Sequence, residues 1–194
     1  MRILVTVGTA LQPFDRLLLY TDEAIAVLKA PVTGVCQHGC SAVRPRSLSC
    51  KETLSRAEFD TEIANADVVI CHAGVGTLWS AMREGHRPLV VPRLGSRGEH
   101  VNDHQLEIVE ALGKEGRIEI IENASQMREA LLRHERGDLR RGARAVDDPA
   151  RLALEKVAAA IAEGPVRSAA PVIGKLVLRT LAALGPSIEK LRVD

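Results

Sequence analysis

The segment GEHVNDHQ, residues 98–105, concentrates side chains that donate or accept hydrogen bonds. On a helix, His100 and His104 would share a face with Asp103 nearby, and such a set could ligate a metal ion. A zinc-protease motif would need Glu directly after the first histidine, where this chain has Val101. The same donors and acceptors suit sugar hydroxyls, and acidic residues also suit an ordinary solvated helix start. The segment by itself leaves these three interpretations open.

A second segment, HAGVGT at residues 72–77, joins an apolar run to a helical pattern. Glycines let the backbone approach a ligand closely, and the first N–H groups of a helix attract phosphate. The segment lacks the Gly-Lys-Ser/Thr ending of a P-loop, and Trp79 stands where a GxGxxG fingerprint needs its last glycine. Phosphate binding and a simple tight turn therefore explain this segment about equally well.

Apolar runs and helical periodicities alternate along the chain, and they predict the elements that position these segments. The expected strands are residues 2–7, 32–36, 67–72, 88–92 and 116–121, with a short strand near Leu48. The expected helices are residues 14–29, 55–66, 76–85, 104–116 and 125–134. Ser55 and Glu58 form a capping-box signature. The alternation with short connections predicts an α/β protein, with a Rossmann-like parallel sheet and helices on both faces.

Three polar segments fall at the same edge of this predicted sheet. Gly8 and Thr9 follow the first strand, HAGVGT follows the strand at residues 67–72, and GEHVNDHQ follows the strand at residues 88–92. Ligands bind such sheets at the carboxyl ends of the strands. The three segments are therefore expected to form one site.

Composition excludes several classes of protein. Aromatic residues make up 2% of the chain and the formal net charge is +1, which argues against a nucleic-acid-binding protein. A signal peptide and a membrane span are not recognisable, so we expect a cytoplasmic protein with reduced thiols. CQHGC at residues 36–40, with Cys50, lacks the second closely spaced pair of Cys or His ligands that a zinc site usually has. No metal and no cofactor are expected.

The C-terminal third differs in pattern. We expect a nucleotide-sugar-binding domain over residues 1–134, a linker and packing helix over residues 135–164, and a basic amphipathic helical tail over residues 165–194. The tail pattern suits an anionic membrane or a partner. The modest number of charges favours instead a helix that closes the domain's own sheet.

Three stretches together resemble the C-terminal domain of glycosyltransferase family 28. They are VTVGTALQPFDRLL, FDTEIANADVVICHAGVGTLWSAMREG and RPLVVPRLGSRGEHVNDHQLEIVEAL, and they cover about residues 1–130. The match is closest to single-domain members, namely bacterial exopolysaccharide transferase subunits and the catalytic subunit of the dolichol-pathway N-acetylglucosaminyltransferase. Gln37 to Gly39 also match the Gln-x-Gly that the family has after its second strand. The resemblance implies one half of a GT-B fold that binds a UDP-sugar donor.

The resemblance also implies roles for individual residues. Those expected near the donor diphosphate or ribose are Gly8, Thr9, His72, Gly74, Gly76 and Thr77. Those expected at the sugar and diphosphate are Glu99, His100, Asn102, Asp103, His104 and Gln105. Arg93 would help to neutralise phosphate. Ser80 stands where family enzymes often place a Glu that holds the ribose hydroxyls, so it is counted with the donor-binding residues, and this departure leaves ribose recognition open.

The implied activity is inverting transfer of a sugar from the UDP-sugar to a lipid-linked saccharide acceptor, in exopolysaccharide or glycan synthesis. A GT-B active site lies between two halves, so the second half and the membrane anchor are expected from a partner chain. That would place the protein peripherally at the inner face of the membrane. His100 or His104 is the expected general base unless the partner provides it. The alternatives are a non-catalytic sugar-nucleotide-binding subunit, a UDP-sugar epimerase-like protein and a metal-binding protein.

Overall fold

The computed structural model describes residues 1–99 and 105–138, and these belong to one compact unit with the bounds Met1–Arg144. The predicted packing helix and the predicted basic tail lie outside the described residues. The same holds for most of the GEHVNDHQ segment.

The described elements follow the predicted order along the chain. The strands are β1 (Arg2–Thr6), β2 (Thr33–Gln37), β3 (Ser49–Lys51), β4 (Val68–Cys71), β5 (Leu89–Val90) and β6 (Glu119–Ile120). The helices are α1 (Asp15–Ile25), α2 (Arg56–Asn65), α3 (Val75–Arg83), α4 (Gln105–Lys114) and α5 (Ala124–Glu135). A single 3₁₀ turn, Gly95–Arg97, interrupts the loop after β5.

The six strands form one sheet in the order β3-β2-β1-β4-β5-β6, and every neighbouring pair is parallel. This is the strand order of the Rossmann fold. Crossover connections between parallel strands are right-handed. Helices on connections that run towards β3 and helices on connections that run towards β6 therefore lie on opposite faces of the sheet. Accordingly α1 packs against α5, and α2 contacts α3. The predicted fold class is confirmed.

The central strands explain why the sheet forms. All four residues of β4 are buried, as are Ile3, Leu4 and Val5 of β1. Continuous branched apolar runs are typical of parallel strands that are covered on both faces. Phe14 and Leu17 extend the core onto α1, and Met127 and Leu131 extend it onto α5.

Several predicted elements were longer than the structure has them, and two of these differences can be described from their residues. The strand expected at residues 88–92 is reduced to Leu89–Val90, because Pro88 and Pro92 have no N–H to continue the ladder. The helix expected at residues 14–29 ends at Ile25. The backbone N–H groups of Lys29 and Ala30 instead donate to the Glu135 carboxylate, each over 2.7 Å.

Candidate functional site

The strand register brings four loops to one edge of the sheet. Thr6 at the end of β1 is paired with Gln37 at the end of β2 and with Cys71 at the end of β4, and Cys71 is paired with Val90 at the end of β5. The loops after all four strands therefore leave the sheet side by side. The strand order reverses between β1 and β4, and α/β sheets bind ligands at such a switch point.

Two glycines from different loops enclose the His72 imidazole. Gly8 has φ +77°, and a Cβ placed there would lie 2.5 Å from His72 Cε1. A Cβ placed on Gly74 would lie 2.2 Å from His72 Nε2. Neither position has room for a side chain while the ring stays in place. The structure thus brings together Gly8, which follows β1, and the HAGVGT residues His72 and Gly74.

Two buried polar residues, Thr6 and Gln37, support the turn at Gly8 through hydrogen bonds. The Gly8 N–H donates to Thr6 Oγ1 over 3.1 Å, and the Thr6 hydroxyl donates to Gln37 Oε1 over 2.7 Å. The N–H of Val7 donates to the Gln37 carbonyl over 3.1 Å. Sequence motifs indicated no role for Thr6, and Gln37 stood out only through its match to a family motif. The available signal was a hydroxyl at the end of an otherwise apolar run.

The start of α3 faces the switch point with its first turn uncapped by a side chain. Its N-cap is Gly74, which has no side chain to accept a hydrogen bond, and the first intrahelical bond is donated by Leu78 to the Gly74 carbonyl over 3.0 Å. The first-turn N–H groups, on residues 75–77, have no carbonyl within the helix. A Cβ on Gly76 would have no heavy atom within 4 Å. Such a helix start can hold an anionic group.

Thr9 and Thr77 remain accessible beside these groups. The Thr9 side chain is exposed and the Thr77 side chain is half-buried. Their expected contacts with a donor stay predictions.

Ser80 is placed differently from the expectation. It is 2% exposed, and its hydroxyl donates to the Gly76 carbonyl one turn earlier in α3 over 2.9 Å. The residue lies on the buried side of the helix, so its hydroxyl satisfies the helix backbone instead of facing a ligand.

Arg93 is also buried, with 1% of its surface exposed. Its Nη1 donates to the Gln12 and Glu99 carbonyls over 2.9 and 2.8 Å, and its Nη2 donates to the Val7 carbonyl over 2.8 Å. Its Cζ lies 4.6 Å from the centre of the Phe14 ring. Burial lowers the pKa of Arg93 from its ordinary value, but arginine stays protonated in proteins. Backbone carbonyls occupy the guanidinium, which corrects the expectation of a direct phosphate contact.

Glu99 is buried in an ion pair instead of facing a sugar. Its Oε1 accepts from Arg16 Nε over 2.8 Å and its Oε2 from Arg16 Nη2 over 2.7 Å, while the Leu94 N–H also donates to Oε2 over 3.0 Å. Burial would raise the pKa of Glu99, but the bonds from Arg16 and Leu94 outweigh it and lower the pKa. The hydrogen bonds that Arg16 donates to Glu99 raise the pKa of Arg16. The carboxylate is therefore ionised and already satisfied by protein donors.

The remaining predicted site residues cannot be placed in the same way. His100, Asn102, Asp103 and His104 lie outside the described residues, and Gln105 is described only as the first residue of the α4 backbone. The roles predicted for these five side chains stay predictions.

Three further observations concern the described part of the chain. Within residues 1–99 and 105–138, no three His, Cys, Asp or Glu side chains are grouped closely enough to hold a metal ion. No helix in these ranges is long and apolar enough to cross a membrane. A surface depression of about 250 Å³ lies beside α2, away from the switch point, and is lined by Lys51, Leu54, Ala57, Glu58, Thr61 and Glu62.

Comparison with known proteins now adds the family. The family model described as "Glycosyltransferase family 28 C-terminal domain" matches residues 2–160. The chain belongs to this family. The resemblance drawn from the sequence motifs is thereby confirmed.

Two known proteins are similar to this chain over part of their own length. UDP-N-acetylglucosamine transferase subunit ALG13 of Homo sapiens is 32% identical over 125 residues, which are 60% of this chain and 10% of the human protein. The crystal structure of the glycotransferase of kitacinnamycin superposes with a TM-score of 0.50 at 17% identity. That superposition covers 94% of this chain and 42% of the glycotransferase. At this identity the likeness shows the fold, and this chain corresponds to less than half of each relative.

Proposed function

We propose that the chain is the donor-binding catalytic subunit of an inverting glycosyltransferase. It would move a sugar from a UDP-sugar to a lipid-linked saccharide acceptor. The observation that carries the proposal is the packing of Gly8, His72 and Gly74 at the switch point, beside the uncapped start of α3. Family membership makes a nucleotide-sugar the natural ligand of such a site.

The donor diphosphate would lie against the first turn of α3. N–H groups there are fixed before the donor arrives, so they can stabilise the negative charge that develops on departing UDP. The absence of a side chain at Gly76 leaves room for this approach. In this proposal the backbone offsets the diphosphate charge, and transfer that depends strictly on an added divalent metal would contradict this part.

The acceptor and the general base belong to the other half of the active site. The human relative is named as a subunit, which supports a second chain as the source of that half. The acceptor hydroxyl would attack the anomeric carbon and lose its proton either to the partner or to His100 or His104. Attachment to the inner face of the membrane would then come through this partner.

Titration of the full chain with UDP by calorimetry tests the donor site directly. We expect binding, and stronger binding for a UDP-sugar than for the free sugar. UDP-N-acetylglucosamine is the first donor to try, because the human relative is named for its transfer. Failure to bind any nucleotide would contradict the proposal.

Transfer assays separate the proposed enzyme from its alternatives. Co-expression with the partner chain should give transfer to a lipid-linked saccharide. UDP binding without transfer under any pairing would instead indicate a non-catalytic sugar-nucleotide-binding subunit. Interconversion of UDP-sugars without an acceptor would indicate an epimerase.

A further inference from the structure

Two of the loops at the carboxyl ends of the strands are joined by a buried charged cluster. The donor contacts proposed above do not use this cluster. The first loop, residues 8–14, follows β1, and the second loop, residues 92–99, follows β5. The cluster consists of Phe14 and Arg16 from the start of α1 and of Arg93 and Glu99 from the second loop. We call it the loop clamp.

Arg93 supplies the first connection between the loops. Its planar guanidinium bonds to the Gln12 carbonyl in the first loop, to the Val7 carbonyl at the end of β1, and to the Glu99 carbonyl in its own loop. Three carbonyls thus receive N–H groups in fixed directions from one side chain. Lysine carries the same charge, but its single ammonium cannot reproduce this fork.

Arg16 and Glu99 supply the second connection. Their two parallel hydrogen bonds form the bidentate geometry that gives arginine–carboxylate pairs their strength and direction. Arg16 Nη2 also donates to the Pro92 carbonyl over 2.7 Å. The helix that follows the first loop is therefore tied to both ends of the second loop.

Phe14 lies between the two connections. Its ring centre is 4.6 Å from Arg93 Cζ and 5.3 Å from Arg16 Cζ, so both guanidinium groups contact the ring. The ring is fully buried. One carboxylate, Glu99, accompanies the two guanidinium groups, which leaves the clamp with a net positive charge beneath the two loops.

We propose that Arg93, Phe14 and the Arg16–Glu99 pair position the first and second loops relative to each other, so that both reach the same nucleotide-sugar. These would be positioning residues that do not touch the donor. The proposal rests on the proposed function, since it assumes that the two loops share one ligand. It also assigns a role to Arg16 and Phe14, which the motif analysis left without one.

Arginine-to-lysine exchange distinguishes this role from a direct charge contact. We expect Arg93→Lys and Arg93→Met each to weaken UDP binding about tenfold, because both lose the fork that joins the loops. If Arg93 acts by its charge on phosphate, the lysine variant would keep wild-type affinity and only the methionine variant would lose it. That result would overturn the proposal. Arg56→Met, which breaks an exposed ion pair on α2, is the matched control and should leave the affinity within about twofold.

A double-mutant cycle tests the second connection. Arg16→Met and Glu99→Gln should each lower UDP affinity about fivefold to tenfold, and the double variant should be no worse than either single one, because the pair acts as a unit. Fully additive losses, or unchanged affinity in folded single variants, would overturn the proposed role of the pair.

Amide hydrogen exchange tests the clamp without reference to any ligand. In Arg16→Met and in Arg93→Lys, amides in both loops should exchange faster than in the wild type, while those of α2 keep their rates. Faster exchange in only one of the two loops would overturn the clamp. If the wild type does not bind UDP, the proposed function fails, and these exchange rates still decide whether the two loops are coupled.

Discussion

Helices α2 and α3 both begin at the carboxyl ends of the strands, but they differ in whether side chains cap their first turns. In α2, the Ser55 hydroxyl accepts from the Glu58 N–H over 3.3 Å, and the Glu58 carboxylate accepts from the Ser55 N–H over 2.8 Å. In α3, the N-cap is Gly74 and no side chain accepts from the first turn. Helix α2 therefore pairs N–H groups at its start with its own side chains, and α3 leaves its first-turn N–H groups without a side-chain acceptor.

The α3 start lacks the side-chain cap that the α2 and α5 starts have. A capping side chain stabilises a helix by about 1 kcal/mol relative to alanine and by roughly a few tenths of a kcal/mol relative to glycine, so α3, with Gly74 at its N-cap, forgoes the smaller contribution. Helix α5 follows the α2 pattern, since Asn123 accepts from the Gln126 N–H over 3.0 Å. The uncapped start of α3 lies at the topological switch point, and the capped starts of α2 and α5 follow edge strands. A bound diphosphate would supply the missing cap of α3.

The largest effect on this comparison should come from Gly74→Ala. The new methyl group would meet His72 Nε2 at 2.2 Å, so the ring must leave its place between the two loops. We expect UDP affinity to fall by more than about tenfold and the free energy of unfolding to fall by about 1–3 kcal/mol, as for an overpacked site. Calorimetric titration and urea denaturation measure the two quantities. Unchanged UDP affinity in the folded variant would remove the Gly74 turn from the site.

Gly76→Ala introduces the same methyl group two residues after Gly74. It should weaken UDP binding without lowering stability. A Cβ there meets nothing in the protein, and alanine is a better helix former than glycine by up to about 1 kcal/mol. We therefore expect unchanged or slightly raised stability. The methyl group would nevertheless obstruct the first-turn N–H groups and weaken UDP binding by about tenfold, equivalent to about 1.4 kcal/mol. Full affinity in this variant would show that the donor does not approach the α3 start closely.

Ser55→Ala changes the start of α2 and should lower stability without changing UDP affinity. It removes the acceptor for the Glu58 N–H, so the free energy of unfolding should fall by about 1 kcal/mol. UDP affinity should stay at the wild-type value, because the α2 start is closed by its own side chains. Asn123→Ala in α5 is the parallel control, with the same expected outcome. A loss of UDP affinity in Ser55→Ala would mean that α2 also serves the site.

Sequence patterns predicted the fold well because one physical cause dominates each signal. The buried parallel strands appear as unbroken apolar runs, and the α2 start appears as Ser55 with Glu58 three residues later. Strand ends were less predictable. The strand predicted at residues 88–92 included Pro88 and Pro92, which have no N–H to extend the ladder, so β5 is limited to Leu89–Val90.

The site was predictable in its location and only partly in its roles. Gly8, His72 and Gly74 could be grouped because each follows a buried strand, and parallel strands end at the same edge of the sheet. Arg93 and Glu99 were misjudged, because a charged residue in a ligand-facing loop has the same appearance in sequence whether it faces outward or supports the loop from within. The decisive contacts are those of Arg93 with the Val7 and Gln12 carbonyls and those of Arg16 with Glu99 and the Pro92 carbonyl. They join segments 76 to 86 positions apart in the chain.

The smallest expected effect is the pH dependence of the α2 start. The hydrogen bond from Lys51, together with bonds from the Ser55 N–H and hydroxyl, lowers the pKa of Glu58 from 4.5 to about 2. A carboxyl group with a lowered folded-state pKa stabilises the protein above its unfolded pKa, and this contribution is lost as the pH falls from about 4.5 towards 2. Glu58→Gln should therefore lose less stability than the wild type across this range, as measured by urea denaturation at stepped pH. The difference should be small and should shrink in about 0.5 M NaCl, because the Glu58 carboxylate is exposed and salt screens its charge. Parallel pH profiles for the two proteins would show that the capping box acts through hydrogen bonds without a net contribution from the Glu58 charge, and the contrast with α3 would then concern geometry alone.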